Sequence, residues 1–215
     1  KTLSGKYYMK KILLSIALAA VCAFAVSAPK THDGFFLNGT AGFGYGNYLN
    51  QFKNNGVKLE SKGFQITSGL KIGGAIIPNL ILHATLKANS IIADISVSNN
   101  AGESVNIPLN NEAYKVVLFG AGVTYYLPSE LNIFLSASAG IASYTEFCAL
   151  GESISKHDEG FSFNLSVGKE WWVNDELGLG VAFSFNHSST NSDFLNYKGD
   201  VSFNSLSIEA TLTFN

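Results

Sequence analysis

The chain has 215 residues, of which 14% are charged, with 16 acids against 14 basic residues that are all lysine. A slightly negative balance without a single arginine disfavours nucleic-acid binding, which leans on basic surface and arginine forks. Two cysteines, Cys22 and Cys148, are too few for a disulfide framework.

In chain order, the first recognisable unit is a leader. Met9-Lys10-Lys11 is basic, residues 12–26 are apolar apart from Ser15, and Val26-Ser27-Ala28 is a small-residue site. This order predicts a secretory signal peptide over 9–28, cleaved after Ala28, because an apolar core of about 15 residues is short for a membrane span. Residues 1–8 read as sequence upstream of the expected start. Removing 1–28 takes four lysines and no acid, which leaves 10 lysines against 16 acids and a net charge of −6. Cys148 then stands alone.

The remaining segment, 29–215, is a succession of runs that alternate apolar and polar residues, the pattern of strands with two unlike faces. In the first, "FFLNGTAGFGYG", Phe35, Leu37, Ala41, Phe43 and Tyr45 oppose Asn38, Thr40, Gly42, Gly44 and Gly46. Further runs follow over 63–76, 80–89, 114–127, 133–141, 161–168, 177–186 and 206–214, each of transmembrane-strand length. The fourth is ambiguous, because both of its parities are partly apolar. The connections alternate. Those near 78–79, 128–130 and 173–176 are tight, whereas those near 47–62, 90–113, 145–160 and 188–200 are long and polar.

Eight strands with short turns at one end and long loops at the other predict an all-β fold, an eight-stranded antiparallel up-and-down transmembrane barrel. A soluble barrel would carry charge on its polar face, but here that face is mainly Gly, Ser, Thr and Asn. Aromatic residues near strand ends fit two interfacial girdles: Tyr125, Tyr126, Trp171 and Trp172 beside the tight turns, and Tyr45, Tyr48, Tyr114 and Tyr144 toward the long loops.

The leader, "FFLNGTAGFGYG", the "GKEWWVNDELGLGVAFSF" hairpin and the aromatic last strand together resemble the small outer-membrane barrels of the OmpX, OmpA-barrel and OmpW type. The resemblance covers 29–215 and is one of pattern. It implies residence in the outer membrane of a Gram-negative-type envelope, contact with lipid and lipopolysaccharide, and assembly by machinery that reads the final strand. Phe214 matches that signal, although Asn215 follows it. It also implies two alternatives: an OmpW-like conduit for small apolar molecules, and a lipid A deacylase-like hydrolase.

Inside an eight-stranded barrel there is just enough room for side chains. Parity sends Lys71, His83, Lys87, Glu170 and Glu209 inward as a polar lumen network, and Glu209 is expected to pair with Lys71 or Lys87. The hydrolase alternative rests on His187 and Ser189 on the lipid-facing parity, with Asp193 or Asp200 as the orienting carboxylate. Glu146, Cys148, Glu152, His157, Asp158 and Glu159 crowd the third long loop, but their spacing fits no metal template, so no metal and no cofactor is expected. Lys115 and Lys169 face lipid near strand ends, where a lysine can snorkel to headgroups. The reading reached from sequence is a non-enzymatic outer-membrane barrel with a plugged polar lumen and long loops open to a surface partner.

Overall fold

Two-residue alternation becomes wall and lining when strands pair at full register. The computed structural model describes residues 30–53, 57–92, 95–98, 104–107, 113–128, 131–147, 153–156, 159–194 and 197–215. The leader, residues 1–28, lies outside them. Among the described residues the strands are β1 (Phe35–Phe52), β2 (Lys58–Ile77), β3 (Leu80–Ile92), β4 (Ile95–Ser98), β5 (Ser104–Ile107), β6 (Ala113–Tyr126), β7 (Ile133–Phe147), β8 (Ser153–Lys156), β9 (Gly160–Trp172), β10 (Leu177–Phe194) and β11 (Tyr197–Phe214).

Eight of these close the barrel in the order β1, β2, β3, β6, β7, β9, β10, β11, every neighbouring pair antiparallel. The last strand returns to the first, with Leu37 opposite Phe214 and Phe52 opposite Gly199. That closure removes the free edges that could not be satisfied in hydrocarbon. β4 and β5 form a hairpin laid on the upper part of β2, and β8 pairs with β7.

Strands are longer than the sequence pattern suggested, and the long loops are correspondingly shorter. β1 and β2 run on to Phe52 and from Lys58, while β10 and β11 leave only 195–196 between them. In these extensions apolar residues move to the inward face, as Tyr48, Val201 and Phe203 do, so the outward apolar alternation breaks off, yet the ladder continues because the neighbouring strand continues.

Outward side chains are mostly apolar in a band around the wall. Leu206, Ile208 and Leu212 on β11, Leu179, Val181 and Phe183 on β10, and Phe64, Ile66, Leu70 and Ile72 on β2 are all exposed. Ser68 and Lys169 interrupt the band. From Leu206 to Phe214 the band is nine residues long, which at about 3.3 Å per residue and about 40° tilt spans roughly 23 Å, close to the apolar band of about 25 Å that such barrels present to a bilayer.

Candidate functional site: the closed barrel interior

Inward positions divide into three levels. At the tight-turn end Phe36, Ile81, Tyr126, Phe134 and Ala182 form one buried apolar cluster. At the other end Tyr48, Ile91, Tyr114, Val116, Ala142, Tyr144, Val201 and Phe203 form a second. Tyr48 stacks on Tyr114 with ring centroids 4.3 Å apart. The upper cluster explains the ambiguous fourth strand: Val116 and Leu118 point inward and are buried, so that strand is apolar on both faces.

Between the clusters lies a polar layer that carries all five residues of the expected lumen network, each of them buried. Lys87 Nζ donates to both carboxylate oxygens of Glu209, at 2.6 and 2.7 Å, and Ser207 Oγ donates to Oε1 at 2.8 Å. Glu209 therefore pairs with Lys87 and not with Lys71. Lys71 donates to Ser136 Oγ at 2.8 Å. His83 is bound through its two ring nitrogens to Thr85 and Thr124, 2.9 Å each. Glu170 accepts from Tyr126 Oη at 3.0 Å, Thr213 Oγ1 at 2.6 Å and Thr211 Oγ1 at 3.3 Å.

Two lysines and two glutamates balance in charge, and hydroxyls occupy the remaining lone pairs, which is what burying ions demands. A cavity lined by Asn38, Thr40, Lys71, Lys87, Glu209 and Thr211 measures only about 10 Å³, roughly the least that admits one water. Side chains fill this layer, and apolar clusters close it at both ends.

The tight-turn mouth is also covered from outside by residues 30–34, which the sequence pattern did not single out. His32 is 4% exposed and stacks on Tyr126, with centroids 3.4 Å apart and planes at 10°. Its other ring contact is Trp172, at 4.9 Å.

The aromatic girdles need correction. Tyr45, Tyr125 and Trp171 do face outward and are exposed. Tyr48, Tyr114, Tyr126 and Tyr144 are buried inside the barrel, and Trp172 lies against His32 at the mouth. Their side chains sit on the inward parity, which proximity to a strand end does not override. Lys169 lies over the Trp171 ring, 5.5 Å from its centroid, at the lower edge of the apolar band. Phe214 is half-buried, pairs with Leu37 and Leu177, and its ring is 6.4 Å from that of Phe35.

Toward the long-loop end, outward residues of several strands turn polar. Asn47 stands opposite both Lys62 and Asn204, His187 opposite Asn204, and Lys115 opposite both Ser90 and Thr145. His187 and Ser189 belong to this rim, and among the described residues they do not assemble a catalytic triad. His187 Nδ1 is engaged by Asn204 Oδ1 at 2.8 Å, in the place an orienting carboxylate would need. Asp200 is paired instead with Lys53 Nζ at 2.7 Å. The side chain of Asp193 lies outside the described residues, as do those of Glu146, Cys148, Glu152, His157 and Asp158. Among the described residues no group of three His, Cys, Asp or Glu side chains is placed to hold a metal.

A scan against protein-family models and a search of curated proteins found no match. Solved structures similar in fold include Neisserial surface protein A, at 13% identity over 82% of this chain and 95% of that one, with a TM-score of 0.46. They also include the outer membrane protein OprG from Pseudomonas aeruginosa, at 11% identity over 86% and 98%, TM-score 0.48. A third is the outer membrane protease OmpT from Escherichia coli, at 10% identity over 88% and 98%, TM-score 0.48. All three are low-identity likenesses with TM-scores under 0.5, and nothing about this chain is argued from them.

Proposed function

We propose that the protein is a non-enzymatic outer-membrane barrel whose work is structural and interactive: it spans the outer leaflet boundary as a rigid closed cylinder and presents its upper wall to the exterior. The observation that carries this reading is the sealed interior, a charge-balanced polar layer held between the Tyr48 and Tyr126 clusters. An apolar band of bilayer height on the outside supports membrane residence. The long-loop end, where β1, β2, β10 and β11 rise above the band, is the surface available to a partner.

Lipid is the first partner in this reading. Lys115 and Lys62 stand at the level where the outward face turns polar, within reach of headgroup phosphates. Phe214, at the end of the strand that closes the wall, serves as the recognition residue for assembly machinery. An OmpW-like conduit would need an open apolar passage, and the packing of Ile91, Val116 and Tyr144 argues against one. Against the hydrolase alternative, His187 Nδ1 is engaged by the Asn204 amide and no carboxylate among the described residues takes that place.

Planar-bilayer recording of the refolded protein tests the structural reading. Stable background current with no discrete steps is the expected result; steady unit conductance would favour a conduit. Incubation with purified lipid A tests the hydrolase. Deacylation lost in Ser189→Ala would replace the proposed function with an enzymatic one.

A further inference from the structure

Along the inward parity of β2, Gln65, Thr67, Gly69 and Lys71 follow one another, and Gly69 alone sends no side chain into the lumen. In register it lies between Thr40 of β1 and Lys87 of β3. All three line the cavity of about 10 Å³, together with Asn38, Lys71 and Glu209. A Cβ at Gly69 would come within 2.8 Å of Thr40 Oγ1. The glycine therefore keeps room beside that hydroxyl.

The polar atoms around this room are incompletely bonded. Asn38 Oδ1 and Thr40 Oγ1 are buried and have no hydrogen-bond partner among the described residues. The Asn38 amide cannot simply be turned over to cure this. Thr213 Oγ1 gives its hydrogen to Glu170, so it can only accept from Asn38 Nδ2, at 2.7 Å, which leaves Oδ1 as a bare acceptor. On the donor side, the Lys71 ammonium has three hydrogens to place and gives one to Ser136 Oγ. The lumen carboxylates are held elsewhere: Glu209 by Lys87 and Ser207, and Glu170 by Tyr126, Thr211 and Thr213. Leaving such groups unmatched inside a dry barrel is costly.

We propose that one water molecule is bound over Gly69 as a fixed part of the lumen, accepting from Lys71 Nζ and donating to Asn38 Oδ1 and Thr40 Oγ1. Three partners of mixed kind are what a buried water takes, and the cavity is of single-water size. An ion suits the lining less well. A metal cation would meet two ammonium groups, and a halide would lie beside the Glu209 carboxylate. Water supplies both the acceptor and the donors that the site lacks. The inference deepens the reading of a sealed interior and rests on it: the plug is completed by one molecule of solvent.

Crystals of the full chain, at a resolution that orders solvent, test the proposal directly. A single peak is expected within hydrogen-bond distance of Asn38 Oδ1, Thr40 Oγ1 and Lys71 Nζ, with no anomalous signal there after a bromide soak. A site without a peak, a direct bond from Lys71 Nζ to Asn38 Oδ1, or bromide at the site would each overturn it. A continuous file of solvent through the bore would instead bring down the sealed interior itself, which separates the two failures. Gly69→Ala and Gly69→Ser supply a solution test, because both add the same Cβ against Thr40 and differ by one hydroxyl. Alanine displaces the water and leaves its partners unmatched, whereas serine returns a polar group to them. In urea unfolding from lipid vesicles, the unfolding constant of the alanine variant should exceed that of the serine variant by about tenfold. Equal constants, or the reverse order, would mean that the site needs no polar occupant and would overturn the proposal. The wild-type crystals decide the matter if neither variant folds.

Discussion

Lys87 on β3 and Glu209 on β11 meet inside the barrel, from strands that are not neighbours in the wall, with Nζ bonded to both carboxylate oxygens. The bond braces the cylinder across its bore. Both side chains are almost fully buried, at 3% and 1% exposure, so each charge depends on the other for solvation. Glu209→Gln leaves an ammonium in the lumen without its counter-charge, and a loss of about 3–5 kcal/mol is expected. Replacing both partners with apolar residues, as in Lys87→Met with Glu209→Leu, should recover most of that loss. Urea unfolding from lipid vesicles checks the difference. Equal stability of the single and double variants would mean that the pair is not a stabilising unit.

The upper apolar cluster is predicted to be the seal on the long-loop side. Tyr48→Ala removes a ring that is stacked on Tyr114 and buried among Ile91, Val116 and Phe203. Truncation of a buried aromatic costs about 3–5 kcal/mol, so the variant should unfold at clearly lower urea. It should also admit small water-soluble thiol reagents to a cysteine placed at Ser207, a lumen position that the wild-type packing shields. Labelling of Ser207→Cys at the same rate with and without Tyr48 would show that the seal lies elsewhere.

Inward glycines on β6 and β7 set how closely the wall can curve. Gly120 and Gly140 are register partners, and a Cβ at either position would run into the backbone of the other strand. Gly140→Ala should therefore cost about 1–3 kcal/mol, the usual range for overpacking. Gly39 is the control, because a Cβ there would meet nothing within 4 Å. Gly39→Ala should change stability by less than about 0.5 kcal/mol, and similar losses at the two sites would remove curvature from the explanation.

How much of this was legible in the sequence follows from which physical signal each part carries. The eight wall strands were readable because lipid on one side and packed lumen on the other impose opposite chemistry on alternate residues, as in Leu206, Ile208 and Leu212 against Ser207, Glu209 and Thr211. Parity also held the inward placement of Lys71, His83, Lys87, Glu170 and Glu209, although the choice of Lys87 as partner depends on cross-bore distance that no pattern encodes. Strand ends are not marked above the apolar band, where the apolar residues of β11, Val201 and Phe203, sit on the inward parity and the alternation breaks phase, so that the ladder alone continues the strand. Tyr126 and Tyr144 sit inside because parity, and not nearness to a strand end, sets which way a strand side chain points. The covering segment 30–34 is local and irregular, and nothing in Lys30-Thr31-His32-Asp33 marks it before the turns around it are folded.

Depth along the outer wall gives the membrane reading its most direct test. Leu165 on β9 faces outward in mid-band and is exposed, next to Ala137 and Phe185 in register. Ser189 on β10 also faces outward, between Ser202 on β11 and the exposed Phe161 on β9, beyond the His187–Asn204 contact at the upper end of the wall. A lysine at the first site would sit in hydrocarbon, at a cost of about 2–4 kcal/mol, whereas near the interface the same change costs about 0–1 kcal/mol. Leu165→Lys and Ser189→Lys should therefore separate by about 2 kcal/mol or more in folding from lipid vesicles. In water, an exposed leucine replaced by lysine changes little, so a soluble barrel of the same fold would show no such gap. Equal stability of the two variants in vesicles would place the wall outside the bilayer and undo the outer-membrane assignment with it.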